Sequence, residues 1–160
     1  MSQRVGIAEL RVARAPVTLK APGIGSCLVI ALYDPVAKLG GLVHSLLPKA
    51  RTREPLEQPA RYVDTAIPLL VEALAQAGAE VTRLRASIAG GANTFEADDV
   101  TLIDNIGARN VRSARETLAA LNLPLRGEEV GGNRNRSVEF HLASGQLLVY
   151  SARGPRAIML

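Results

Sequence analysis

The stretch GSCLVIALYDPVAKLGGLVHSLL, from Gly25 to Leu47, reads as a β-hairpin. Leu28–Tyr33 and Lys38–Leu47 are apolar runs of strand composition. Asp34-Pro35-Val36-Ala37 between them carries Asp and Pro where a type I turn favours them. The hairpin holds the only cysteine of the chain, Cys27, and one of its two histidines, His44. A thiol beside an imidazole is the minimum equipment for nucleophilic attack on a carbonyl, because the imidazole takes the thiol proton and later returns it to a leaving group. With a four-residue loop, Asp34–Ala37, Tyr33 faces Lys38 and Cys27 faces His44; a six-residue loop would move His44 to a diagonal position.

Each residue also has a plainer reading, since a free cysteine is usually a small buried hydrophobe and a histidine on an apolar strand is usually packing. The neighbours favour a site. Gly23, Gly25 and Ser26 precede Cys27, small residues that let a substrate backbone approach and leave the Cys27 amide free to donate to an oxyanion. Gly40 and Gly41 on the opposing strand are expected to keep the ground near the thiol open.

Outward from the hairpin, the chain of 160 residues reads as one α+β domain without repeat or low-complexity tract. Gly6–Arg14 and Val17–Lys20 are expected as extended segments before it. The polar Lys49–Pro59 is a surface loop. A helix follows over Ala60–Ala77, with Val63, Ile67, Leu70, Val71 and Leu74 at helical spacing and Pro68 as a kink or break. Glu80–Ala89 is a strand, Ile106–Leu121 the second helix, and Leu125–Val130, Ser137–Leu142 and Gln146–Ser151 complete the chain as strands.

No apolar run reaches the roughly 18 residues that span a bilayer, and Met1-Ser2-Gln3-Arg4-Val5 lacks the apolar core of a signal peptide, so a cytoplasmic protein is expected. One cysteine excludes an internal disulfide, and a single Cys with two distant His offers no metal-ligand spacing, so neither metal nor cofactor is expected. Net charge is +4 with a pI near 9.7. Nucleic acid is not the expected partner, because three Tyr, two Phe and no Trp leave little for base stacking.

Five blocks, in order, carry a family resemblance: Gly25-Ser26-Cys27 with the strand to Pro35 and Gly40–His44; Arg61–Ala66; Ile88–Asn93; Ile106–Asn110; and Gly131–Val138. Together they span about Gly6 to Val149, and they resemble the CheD chemoreceptor glutamine deamidases. The resemblance implies a layered sandwich of mixed or antiparallel sheets flanked by helices. It implies a cysteine hydrolase that converts glutamine side chains of methyl-accepting chemotaxis receptors to glutamate with release of ammonia. Cys27 would be the nucleophile and His44 its base and acid; apart from the resemblance, the small residues Gly25 and Ser26 beside the thiol are expected to support the oxyanion. Partners would be the receptors and the CheC phosphatase, with no membrane insertion, and the protein a monomer. A basic surface would assist encounter with an acidic receptor. The family commonly has a threonine five or six residues before the cysteine; here Pro22 and Ala21 stand there, and Thr18 is offset to the other strand face. That departure sustains an alternative, a receptor- or CheC-binding adaptor with little turnover.

Gly90-Gly91-Ala92-Asn93 and Gly131–Arg136 each follow a strand. Glycine pairs there are mostly tight turns; their functional reading is as loops that meet at the cleft, with Asn93, Asn133 and Arg134 available to a substrate or partner. Neither has a phosphate-binding fingerprint. His141, on an alternating strand, reads as a solvent-facing polar residue.

Overall fold

The structure, a computed structural model, describes residues 1–51, 57–93 and 105–160. The middle of the loop expected at Lys49–Pro59 therefore lies outside the described residues.

In chain order the strands are β1 (Ser2–Arg4), β2 (Leu10–Arg14), β3 (Thr18–Ile24), β4 (Leu28–Asp34), β5 (Leu39–Ser45), β6 (Arg85–Gly90), β7 (Leu125–Val130), β8 (Arg136–His141), β9 (Gln146–Ser151) and β10 (Gly154–Met159). Helix α1 is Val63–Gln76 and α2 is Ile106–Ala120. The strands form two five-stranded sheets, ordered β1-β3-β8-β9-β10 and β2-β5-β4-β6-β7. Each is mixed, with one parallel pair at an end: β1 with β3, and β6 with β7.

The layers follow from where β4 sends its side chains. Successive residues of a strand point to opposite faces, and every residue of β4 and β5 is buried. Leu28, Ile30 and Leu32 pack with Ile67 and Leu70 of α1 and Ala114 and Leu118 of α2. Val29, Ala31 and Tyr33 face the other way, into a core shared with Leu19, Phe140 and Val149 of the first sheet. The order is thus helices, second sheet, first sheet, with both helices on one side, and the α+β sandwich expected from the sequence is what the chain forms. A strand covered on both faces has no reason to alternate, which accounts for the unbroken LVIALY run. The Tyr33 hydroxyl donates to the Leu142 carbonyl at 2.7 Å, tying the sheets, and its ring meets Phe140 edge-on at 5.7 Å.

Three expectations change. Pro68 neither ends nor interrupts α1: it is exposed, so the carbonyl it leaves unpaired one turn earlier lies on the solvent side. The expected strand at Glu80–Ala89 opens instead as a 3-10 turn, Val81–Arg83, before β6. The strands β1 and β10 go unforeseen from sequence because both are edge strands, where one ladder suffices and polar residues and Pro155 are tolerated.

Candidate active site

Cys27 is the last residue of the turn between β3 and β4, one position before the β4 ladder begins. Two segments hold that turn. On one side Gly91 N donates to the Cys27 carbonyl at 2.8 Å and Ala92 N to the Gly25 carbonyl at 3.0 Å. Glycine is required here: Gly90 has φ +113°, and a Cβ on it would run into the Cys27 carbonyl and Ile24. On the other side, Asn110 of α2 is fully buried and its side-chain amide donates to the Ser26 carbonyl at 2.9 Å and the Leu46 carbonyl at 3.1 Å. Asn110 thereby pins the peptide that carries the Cys27 N–H. Because that peptide is planar and trans, holding its carbonyl toward Asn110 turns the N–H away from Asn110. Among the described residues this N–H makes no backbone hydrogen bond.

His44 lies on β5, directly opposite Val29. Tyr33 pairs with Gly40 and not with Lys38, so the ladder takes the register in which His44 is diagonal to Cys27. Cys27 and His44 are diagonal neighbours on one face, about 7 Å apart at their Cα atoms and closer at Cβ. Both face the inter-sheet layer, to which Cys27, Val29 and Leu42 belong. Cys27 is 8% exposed and His44 3%. Both imidazole nitrogens are buried without a hydrogen-bond partner, so the ring and the sulfur are not hydrogen-bonded to one another. Burial pushes the Cys27 thiol above its ordinary value, partly offset by its own amide. Burial pulls His44 below its ordinary value; the Val5 backbone opposes this, at a geometry short of a well-formed hydrogen bond. Both shifts favour the uncharged forms, thiol and imidazole, near neutral pH.

The supporting threonine position holds Ala21, fully buried and opposite Val138. Thr18 does not replace it: its hydroxyl meets His141 Nδ1 at 3.2 Å on the outer face of the first sheet. His141 is half-buried there, with its other nitrogen 3.3 Å from Glu139. Gly40 and Gly41 do not open ground near the thiol. They lie opposite Tyr33 and Leu32, at the far end of the ladder, where an added Cβ would strike Leu142 at 2.5 Å and Leu70 at 2.6 Å.

The two glycine-rich loops do meet beside Cys27. Gly131 N donates to the Gly90 carbonyl at 3.0 Å and Asn93 N to the Gly132 carbonyl at 2.8 Å. Asn133 and Arg134 are exposed in the second loop. Asn110 and Arg136 were not singled out from sequence. A signal for Asn110 existed, since it falls on the buried stripe of α2 with Gly107, Val111, Ala114 and Leu118, where an amide needs a reason to be.

The family model described as CheD chemotactic sensory transduction matches residues 46–151. The chemoreceptor glutamine deamidase CheD of Thermotoga maritima is 42% identical over 96% of this chain and 94% of its own length. A probable chemoreceptor glutamine deamidase CheD of Desulforamulus reducens is 39% identical over 98% of this chain and 94% of its own. This chain belongs to the CheD family. The family match begins after Cys27 and His44, whereas the alignments with these CheD relatives cover nearly the whole chain. No described helix of this CheD-family chain is long and apolar enough to cross a membrane.

Proposed function

We propose that this chain is a chemoreceptor glutamine deamidase in which Cys27 is the nucleophile and His44 the proton carrier. The observation that carries the residue assignment is the diagonal placement of the only thiol and a desolvated imidazole on one face of neighbouring strands. A carboxamide resists water because nitrogen resonance weakens its carbonyl and its nitrogen leaves poorly. With both groups neutral at rest, His44 takes the thiol proton as sulfur attacks the carboxamide carbon. The Cys27 N–H, aimed by Asn110, donates to the oxyanion; one such donor is worth about 3 kcal/mol of barrier. The imidazolium protonates the departing nitrogen, ammonia leaves, and a thioester remains on Cys27. His44 then draws a proton from water, hydroxide adds to the thioester, and the thiol leaves protonated, giving a carboxylate. Each proton transfer contributes on the order of 10²- to 10⁴-fold.

The proposed setting is the cytoplasm, with receptors as substrate. Ala21 favours one other reading, an adaptor that binds receptor or CheC with little turnover. Purified protein incubated with a receptor cytoplasmic fragment, then mapped for amide-to-acid conversion, separates the two. Conversion abolished by Cys27→Ala and by His44→Ala supports the enzyme. A stable complex without conversion, indifferent to Cys27→Ala, supports the adaptor and overturns the enzyme.

A further inference from the structure

Arg136 opens β8 at a buried position of that strand. It is 9% exposed and points to the same side as Val138 and Phe140. One Nη1 hydrogen goes to the Gly90 carbonyl at 3.2 Å. Among the described residues Arg136 forms no ion pair, and burial pulls its guanidinium below its ordinary value. The Glu129 charge opposes that pull without forming an ion pair with Arg136, and a buried cation so incompletely paired is costly; proteins generally pair one or give it an anionic ligand. Arg136 lines a polar cavity of about 260 Å³ together with Arg134, Arg153, Asn133 and Ser151. One carboxylate, Glu129, borders it, already bonded to Arg156 at 2.9 Å. The cavity adjoins the reacting turn: the Gly90 carbonyl that Arg136 holds belongs to the residue before Gly91, whose N–H holds the Cys27 carbonyl.

We propose that this cavity is a subsite for a carboxylate of the protein substrate, an aspartate or glutamate side chain close to the target glutamine. A guanidinium fork in a cavity that also offers a hydroxyl and an amide matches two carboxylate oxygens. The position selects which glutamine enters: one with an acidic neighbour seats that neighbour on Arg136 as its carboxamide reaches Cys27. The deamidase reading enters only in naming the residue beside the carboxylate.

The test is calorimetric titration of Cys27→Ala protein with a receptor cytoplasmic fragment and with the same fragment whose acidic residues near its glutamines are replaced by alanine. The acidic fragment is expected to bind about 10-fold more tightly. Arg134→Ala and Arg153→Ala, both at exposed positions that leave the fold intact, should each narrow that ratio roughly 2- to 5-fold. Arg136→Lys, which keeps the charge and loses the fork, should narrow it further. Equal binding of the two fragments, or a ratio indifferent to the arginine changes, overturns the subsite. So does inorganic phosphate that binds the same arginines without displacing the fragment, which would mark a simple anion site. Conversion by the unaltered protein is followed in parallel. A preserved binding ratio without conversion supports the subsite and removes the deamidase reading; conversion with equal binding removes the subsite alone.

Discussion

Cys27 and His44 owe their resting chemistry to burial, and the direction of each effect sets a pH dependence. Cys27 should be slow to alkylate at neutral pH, with a midpoint above the ordinary thiol value of about 8.5. Iodoacetamide kinetics followed by mass spectrometry check this; a midpoint below that value would contradict it. The same shifts act on stability. Above the ordinary thiol pKa the unfolded chain ionises first, so stability is lost as pH rises through the folded value. His44, depressed, acts in the opposite sense: below about 6.5 the unfolded chain takes the proton first, and stability is lost as pH falls toward the folded value. These two groups therefore allow greatest stability between those limits. Asn110→Ala strips the partner from two carbonyls, Ser26 and Leu46. It should cost about 2 kcal/mol in denaturant unfolding and lower kcat more than it raises KM. The proximity of Cys27 and His44 was legible in the sequence because both sit on one hairpin. Asn110 was not, because its meaning lies in two carbonyls that only the folded turn brings to it.

At the scale of elements, the β4–β5 hairpin shows how a loop decides a site. Asp34 accepts from Val36 N at 3.0 Å and Ala37 N at 3.1 Å, and pairs as a strand residue with Leu39. Lys38 takes φ +52°, a turn conformation, so the loop is Pro35–Lys38 and starts one residue later than the composition indicates. That single step moves every pairing by two and turns a facing Cys27–His44 pair into a diagonal one, while leaving both on the same face. The Asp34 carboxylate also receives Arg83 through two bonds of 2.9 Å and Glu80 N at 2.9 Å, which hold it well below the usual carboxylate range. Its stabilisation is present at neutral pH and lost as pH falls through that depressed value. Asp34→Ala should cost about 3 kcal/mol, read as a lowered Tm. Gly107 lets the first turn of α2 rest on the Gly91–Ala92 backbone, where a Cβ would collide with both carbonyls. Gly107→Ala should lift α2, displace Asn110 and reduce conversion; activity equal to the unaltered protein would show the docking to be slack.

Across the whole molecule, the three layers divide the labour. The helix side of the second sheet is apolar packing, and the inter-sheet layer ends in the loops that carry Cys27, the Gly90–Asn93 turn and Arg136. The α+β class and most strands were legible from apolar runs and turn residues. The sheet order was not, because pairing β3 with β8 and β4 with β6 depends on partners far apart in sequence. With net charge +4, association with an acidic receptor fragment should weaken as salt rises, measured by on-rate; salt-independent association would place the contact elsewhere. The most direct measurement of the account is acid-quenched intact-mass analysis during turnover of a glutamine-bearing receptor peptide. The account predicts an adduct on Cys27 equal to the peptide less ammonia, absent in Cys27→Ala together with all conversion to glutamate. Conversion that persists in Cys27→Ala would contradict it.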